Sequence, residues 1–167
     1  VPLDDPVTEA LMIGVGGSDA MDYHALEAMQ CMVERRRGGE TGVGAVQLID
    51  GDAVWQARRD GRWSQRLLEA ALARSDSRSG IALTDGRPQD LAHSSELEEL
   101  VENPAAYFIE YSDGLRATLL MLNGAVSDYT FAAQLPGDEV VSTQFLLPGQ
   151  PNVAYSACLM QKAEEMF

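Results

Sequence analysis

Turn dipeptides divide the second half of the chain into four short apolar segments, and this pattern restricts the possible folds most strongly. The dipeptides are Asp113-Gly114, Asn123-Gly124 and Pro136-Gly137, and the segments are residues 105–111, 115–122, 129–135 and 140–147. Dipeptides of this kind are typical of tight turns between antiparallel strands. No helical pattern separates the four segments, so the sequence predicts that they are neighbouring strands of one antiparallel sheet.

The first half of the chain adds helices and further strands. The helical segments are residues 21–35, 62–74 and 95–102, and the strand segments are residues 10–15, 42–49 and 52–57. Asp50-Gly51 favours a hairpin between the last two strand segments, and the alternative is one long strand with a bulge. Ser95 with Glu98 forms a capping box. With 167 residues, the chain is long enough for one domain. The sequence therefore predicts a single α+β domain with a large, mostly antiparallel sheet of about six strands and helices packed on one face.

The strand segments of the second half carry more large apolar side chains than one layer of helices can cover. These side chains belong to Leu119, Met121, Phe131, Phe145 and Leu147. We expect the sheet face that bears Phe131 and Phe145 to be buried between subunits of a dimer or tetramer. The chain is thus predicted to be a homo-oligomer.

A glycine turn joins the first strand segment to the first helix. The turn and the start of the helix read Gly14-Val15-Gly16-Gly17-Ser18-Asp19-Ala20-Met21-Asp22-Tyr23-His24. The free amides and the dipole at a helix N-terminus favour an anionic ligand. His24 is one of only two histidines in the chain, and a histidine beside carboxylates suits proton transfer. Asp19, Asp22, Tyr23 and His24 are therefore the candidate site residues.

Other interpretations of this segment remain open. Gly14 and Gly16 match the first two positions of the dinucleotide-binding G-x-G-x-x-G pattern, but Asp19 stands at the third and would repel a pyrophosphate. The carboxylates and His24 are chemically able to bind a metal ion, but their spacing matches no compact metal site. His24 is alternatively a structural residue held by a hydrogen bond. A hydrolase is disfavoured because the sequence has no G-x-S-x-G motif.

Several segments resemble the C-terminal domain of the glucose-fructose oxidoreductase / inositol dehydrogenase (Gfo/Idh/MocA) family. These are Gly16-Gly17, His24 with the following Leu26-Glu27-Ala28-Met29, the strand at residues 45–49, the paired strands at residues 107–119 and a closing helix at residues 155–167. The resemblance implies that His24 faces the substrate as the catalytic residue and that Asp19, Asp22 and Tyr23 bind substrate. The family pattern D-x-G-x-H has Ala20 at its aspartate position here and Asp22 at its glycine position.

The same resemblance implies a partner domain. Members of the family carry an N-terminal nucleotide-binding domain with a Glu-Lys-Pro motif, whereas the only lysine of this chain is Lys162. We therefore expect the chain to be the C-terminal part of a longer NAD- or NADP-dependent oxidoreductase that acts on a sugar or polyol, and to be inactive alone. The alternative is a non-catalytic binding or scaffold domain that retains the fold.

The charge of the chain limits its partners. A net charge of −14 opposes the attraction that dominates binding to nucleic acids and anionic membranes, so both are excluded. No run of about 18 apolar residues is long enough to span a membrane. Cys31 and Cys158 are predicted to be packed thiols, which suits a reducing cytoplasm.

Three adjacent cations, Arg35-Arg36-Arg37, precede Gly38-Gly39. Such a cluster is able to clamp a phosphate or carboxylate. The favoured interpretation is a helix C-terminus, where cations complement the dipole and a glycine ends the helix.

We predict that the isolated chain binds neither NAD nor NADP. Its single glycine turn of the dinucleotide type carries Asp19 where the pyrophosphate would approach. Calorimetric titration of the chain with either nucleotide should show no heat above the dilution control. Binding in the micromolar range would overturn the assignment of the nucleotide site to a separate domain.

Overall fold

The computed structural model describes residues 1–16, 19–79 and 90–146. Six strands lie in this part of the chain: Glu9–Gly14 (β1), Val43–Asp50 (β2), Ala105–Tyr111 (β3), Arg116–Met121 (β4), Tyr129–Gln134 (β5) and Val140–Phe145 (β6). The α-helices are Asp19–Val33 (α1), Asp52–Arg59 (α2), Gln65–Leu72 (α3) and Glu96–Leu100 (α4), and Pro136–Asp138 forms a 3-10 turn. The predicted closing helix at residues 155–167, together with Leu147 and Cys158, lies outside the described residues.

The strands form one sheet in the order β2-β3-β4-β1-β5-β6. β1 runs parallel to β4, and every other neighbouring pair is antiparallel. The predicted α+β class with a large, mostly antiparallel sheet is therefore confirmed. β1 lies inside the sheet because residues 10–13, Ala-Leu-Met-Ile, are apolar on both faces and have no exposed surface.

One predicted pairing is wrong, because β4 and β5 are not neighbours. β1 lies between them, and the Asn123-Gly124 dipeptide belongs to a longer connection that packs on the end of α4. Gly124 has a φ of 94°, and a Cβ at this position would collide with the carbonyl oxygen of Leu100. The amide of Glu102 also donates a hydrogen bond to the carbonyl oxygen of Asn123. A contact with a distant helix end thus replaces the expected hairpin.

Helices cover both faces of the sheet, and the prediction of a single helical face is corrected. Ala10 and Met12 of β1 pack in a cluster with α1, whereas Leu11 and Ile13 pack in a cluster with α2, α3 and α4. Successive residues of a strand point to opposite faces. A strand that is apolar at every position therefore needs a cover on both sides.

The predicted strand at residues 52–57 is also wrong, because this segment forms α2. Gly51, with a φ of 56°, precedes the helix, and Asp52 lies in its first turn, where a carboxylate complements the helix dipole. Val54, Trp55 and Ala57 are buried against the sheet. A short segment of this composition suits either a strand or a helix, and burial against the sheet decides for the helix.

α3 and α4 agree with their predicted positions, but only α3 has a side-chain N-cap. The hydroxyl of Ser64 accepts a hydrogen bond from the amide of Leu67 and caps α3. The expected capping box at α4 is absent, because Ser95 already has helical backbone angles and its hydroxyl donates to Glu99 instead. A residue with helical angles does not direct its side chain to the amides of the first turn.

The surface expected to join subunits is covered within the chain. Leu119, Met121 and Phe131 have at most 1% of their surface exposed and pack with α1, and Phe145 is half-buried against the same cluster. α1 approaches closely because Gly14 has no side chain: a Cβ there would lie 2.9 Å from the Cβ of Ala25 on α1. The face bearing Phe131 and Phe145 is therefore core, and its assignment as a subunit interface is corrected.

Arg36, in the arginine run after α1, joins the end of this helix to the turn between β3 and β4. Arg36 is buried, and its guanidinium donates to a carboxylate oxygen of Asp113 at 2.8 Å, to the carbonyl oxygen of Val33 and to the hydroxyl of Thr41. It also lies over the ring of Tyr111. The hydrogen bond from Arg36 holds the pKa of Asp113 below its usual value. This cation closes the end of α1, as the favoured interpretation predicts.

The Arg36–Asp113 pair gives a test of the fold. We predict that Asp113→Ala lowers the free energy of unfolding at pH 7 by about 2–3 kcal/mol, because it leaves a buried cation without its carboxylate. Urea unfolding measures this loss. The control is Glu102→Ala, which removes an exposed carboxylate and should change stability by less than about 0.5 kcal/mol.

The same pair gives a pH dependence. A carboxyl with a lowered pKa in the folded state stabilises above its unfolded pKa of about 3.9. This contribution is lost as the pH falls through the lower, folded-state pKa. The difference between the wild type and Asp113→Ala should therefore shrink at acidic pH. A difference that stays constant from neutral to strongly acidic pH would contradict an ionic role for Asp113.

Candidate functional site

The parallel pair of strands creates the site, because β1 and β4 end at the same edge of the sheet. The chain leaves β1 through Val15 and Gly16 toward α1, and it leaves β4 through Leu122 and Asn123. The amide of Leu122 donates to the carbonyl oxygen of Gly14 at 3.0 Å, and the amide of Gly16 donates to the side-chain oxygen of Asn123. These bonds fix the two strand ends to each other.

Gly16 is required by the geometry of this turn. Its φ is 134°, a backbone conformation that side chains disfavour, and a Cβ would collide with Met21 in the first turns of α1. The glycine thus brings α1 close to the end of β1. This position matches the glycine-turn pattern that the sequence predicts.

Asp22 is the predicted site residue that reaches the sheet. It is half-buried on α1, and its carboxylate accepts a 2.6 Å hydrogen bond from the hydroxyl of Tyr107 on β3. A short bond of this kind to an ionised acceptor orients the carboxylate firmly. Tyr107 therefore holds one oxygen of Asp22 and leaves the other carboxylate oxygen to accept from a ligand.

A cleft of about 430 Å³ opens beside this pair. Its polar lining comes from Asp22, Tyr107, Asn123, Asn103 and Asp50, and Gly16 contributes backbone. Asn103 has a φ of 50°, which an asparagine tolerates better than most residues. No arginine or lysine of the described chain lines the cleft, so its carboxylates disfavour the anionic ligand that a helix N-terminus would suggest.

The groups in the cleft suit a neutral ligand rich in hydroxyl groups. A carboxylate accepts hydrogen bonds from hydroxyls, and an asparagine side chain both donates and accepts. The oxygen of Asn123 accepts from the Gly16 amide, so its Nδ2 group remains available as a donor. Together, Asp22 and Asn123 offer an acceptor and a donor on one side of the cleft.

Tyr23 and His24 lie apart from this cleft, on the exposed side of α1. Nδ1 of His24 lies 3.0 Å from a carboxylate oxygen of Glu27, and 59% of the His24 side chain is exposed. The ring of Tyr23 meets the His24 ring edge-on at 5.7 Å. Glu27 raises the pKa of Tyr23 through a hydrogen bond, and the hydrogen bonds of His24 and Tyr23 lower the pKa of Glu27.

The structure thus separates the predicted site residues into two groups. Asp22 and His24 are two positions apart on a helix, so their side chains point about 200° apart. Asp22 pairs with Tyr107, whereas Tyr23 and His24 share Glu27. Asp19 begins α1, and its side chain lies outside the described part of the structure.

The sequence did not single out Tyr107, Asn103 or Asn123. Asn123 belongs to a dipeptide typical of hairpins. The sequence therefore predicted a tight turn at this position and not a site residue beyond the end of β4. The one available sign for Tyr107 was its position in the strand pair that resembles the family. Its contact with Asp22 joins residues 85 positions apart, and no local pattern carries that information.

The second histidine, which the sequence left without a role, ties a loop to a helix. Nδ1 of His93 lies 2.7 Å from Asp90, and Nε2 lies 2.9 Å from Glu69 on α3. The hydrogen bond with Asp90 and, more weakly, the charge of Glu69 raise the pKa of His93. Both ring nitrogens are occupied by carboxylates of the same chain, so His93 acts as a structural bridge.

Among the described residues, no group of three or more histidine, cysteine, aspartate or glutamate side chains is placed to hold a metal ion. None of the described helices combines the length and the apolar character needed to cross a membrane. Cys31, predicted to be packed, is instead a free and exposed thiol on α1.

No family model, curated protein or solved structure matches the chain. The resemblance to the Gfo/Idh/MocA family therefore stays a prediction from the residues that carry it.

Proposed function

We propose that the chain is the substrate-binding domain of an NAD- or NADP-dependent oxidoreductase that acts on a sugar or another polyol. The observation that carries this proposal is the cleft at the carboxyl ends of β1 and β4, where Asp22, Tyr107 and Asn123 converge. Open α/β sheets bind ligands just beyond the carboxyl ends of their strands, and β1 and β4 are the parallel pair of this sheet. The proposed location is the cytoplasm, which suits the exposed thiol of Cys31.

Asp22 is the group best placed to hold a substrate hydroxyl. Its carboxylate is oriented by Tyr107, and Asn123 offers an amide donor in the same cleft. A site that pairs each substrate hydroxyl discriminates strongly against ligands that lack it. The chain would therefore supply selectivity for a hydroxylated carbon skeleton.

The nucleotide would come from the N-terminal nucleotide-binding domain that the resemblance implies. Bound nicotinamide supplies the hydride acceptor or donor in such an enzyme. The carboxylates of this chain's cleft do not suit a pyrophosphate. In this proposal the chain binds and orients the substrate, and the partner domain covers the open side of the cleft.

A second function, binding without catalysis, is favoured by the position of His24. The residue expected to transfer the proton points away from Asp22 and contacts Glu27 on an exposed surface. A domain that keeps the cleft but not the catalytic histidine would bind a polyol and convert nothing. If His24 does transfer a proton, His24→Ala should lower turnover of the full-length protein by roughly 10²- to 10⁴-fold.

Titration of the isolated chain with myo-inositol and with glucose tests the binding step. We predict that Asp22→Asn weakens the binding of the preferred polyol by about tenfold or more, because it removes the charged acceptor. Tyr107→Phe should weaken it several-fold, because the carboxylate loses its fixed orientation. Calorimetry or ligand-observed NMR measures both changes.

The matched control is His24→Ala, an alteration on the opposite side of the same helix. It should leave polyol binding unchanged in the isolated chain. Loss of binding in His24→Ala with full binding in Asp22→Asn would reverse the assignment of the site. If the wild-type chain binds none of the polyols tested, even at molar concentration, the proposal is wrong.

A further inference from the structure

Among the described residues, no element covers a second surface of the sheet, on the side of β2 that faces α1. A groove of about 460 Å³ runs between α1 and β2, and we refer to it as the α1–β2 groove. Its apolar walls are formed by Tyr23, Leu26, Val43, Val46, Ile109 and Tyr111. Val43 and Val46 are 51% and 59% exposed, and Leu48, further along the same strand, is 52% exposed. Apolar side chains exposed side by side on one strand mark a contact surface.

The backbone of β2 is open as well. β2 is the end strand of the sheet and pairs with β3 alone among the described strands. Its residues 43–49 include no charged side chain and no proline. Proteins commonly protect such an edge with charges, prolines or bulges, and here only a register shift near Val43 interrupts the strand.

The charged side chains that line the α1–β2 groove are negative. Glu27 and Glu34 line the α1–β2 groove, and no arginine or lysine of the described chain does so. Glu40 precedes β2, and Asp50 and Asp52 follow its uncharged part. The last three side chains are exposed. An occupant must therefore match an apolar centre and acidic flanks on both sides.

We propose that the edge of β2 and the α1–β2 groove bind an extended segment of a partner protein that is apolar in its centre and basic at both ends. The segment adds a strand to the sheet, so that its backbone pairs with β2 and alternate side chains enter the groove. Its lysines or arginines meet the acidic residues beyond each end of the uncharged strand. This inference goes beyond the proposed function. Leu48 and Asp50 also line the polyol cleft, but Val43 and Val46 do not.

A second copy of the chain fits this surface less well. In an antiparallel β2–β2 pair centred on Val46, Glu40 of each copy would lie beyond the same end of the strand pair as Asp50 and Asp52 of the other copy. Like charges gathered at both ends of the pair would disfavour it. Two chains that each carry a net charge of −14 would also repel at long range. The charge pattern thus selects a basic partner over self-association.

Binding of synthetic peptides to the 167-residue chain tests the inference. The probe is a short peptide of alternating valine and threonine with lysines at both ends, and the comparison peptide has glutamates at the ends instead. Fluorescence anisotropy should show binding of the lysine peptide that weakens as salt is added. The glutamate peptide should bind at least about tenfold more weakly.

Two variants locate the contact. Val46→Lys should weaken binding of the lysine peptide by about tenfold or more, because it replaces an apolar contact with a like charge. Ala73→Lys adds the same charge at an exposed position that follows α3, a helix that packs on β1, β5 and β6, and it should change binding by no more than about twofold. Circular dichroism checks that both variants are folded.

Three results would overturn the inference. They are equal binding of the two peptides, binding that is unaffected by Val46→Lys, and no binding of the lysine peptide at millimolar concentration. Dimerisation of the chain in light scattering that Val46→Lys abolishes would assign the surface to a second copy instead. None of these outcomes bears on polyol binding, so the two proposals fail independently.

Discussion

The burial of β1 in the middle of the sheet is the constraint on which the rest of the structure depends. Residues 10–13 are fully buried and apolar on both faces, so the sheet needs α1 on one side and the shorter helices on the other. β1 lies beside β4 in the parallel direction. This pairing brings the start of α1 to the end of β4 and thereby creates the cleft at which Asp22 meets Tyr107.

The local elements were largely predictable from the sequence. The apolar run at residues 10–15, the spacing of Met21, Ala25 and Met29, and the turn dipeptides of the second half each reflect local geometry. The segment at residues 52–57 was not predictable in this way. Its valine, tryptophan and alanine suit both a strand and a helix, and only the neighbouring sheet decides between them.

The arrangement of the elements was much less predictable, because it rests on contacts distant in sequence. Asn123-Gly124 is a strong hairpin signal, yet β1 separates the strands that it joins. The site was predicted only in part for the same reason. Asp22 lies in the segment that the sequence singled out, but its hydrogen-bond partner Tyr107 is distant in sequence and was not predicted. The separation of Asp22 from His24 follows from helical geometry alone, so the sequence was sufficient to predict it.

The two sides of α1 differ in chemistry, and this difference defines what the chain is able to do. The side that faces β3 has an oriented carboxylate in a polar cleft, whereas the opposite side presents His24, Glu27 and Tyr23 to solvent. The acidic, lysine-poor surface limits partners to neutral or basic molecules. In the proposed function, substrate selectivity belongs to the cleft, and the partner domain covers the open side of the cleft.

A crystal structure of the chain with bound myo-inositol gives the sharpest test of the Asp22 site. We expect a ligand hydroxyl within about 3 Å of the Asp22 carboxylate and a second hydroxyl at a similar distance from Asn123. The Asp22–Tyr107 hydrogen bond should persist in that complex. A polyol bound against His24 and Glu27, with no ligand contact to Asp22, would contradict the assignment of the site to Asp22.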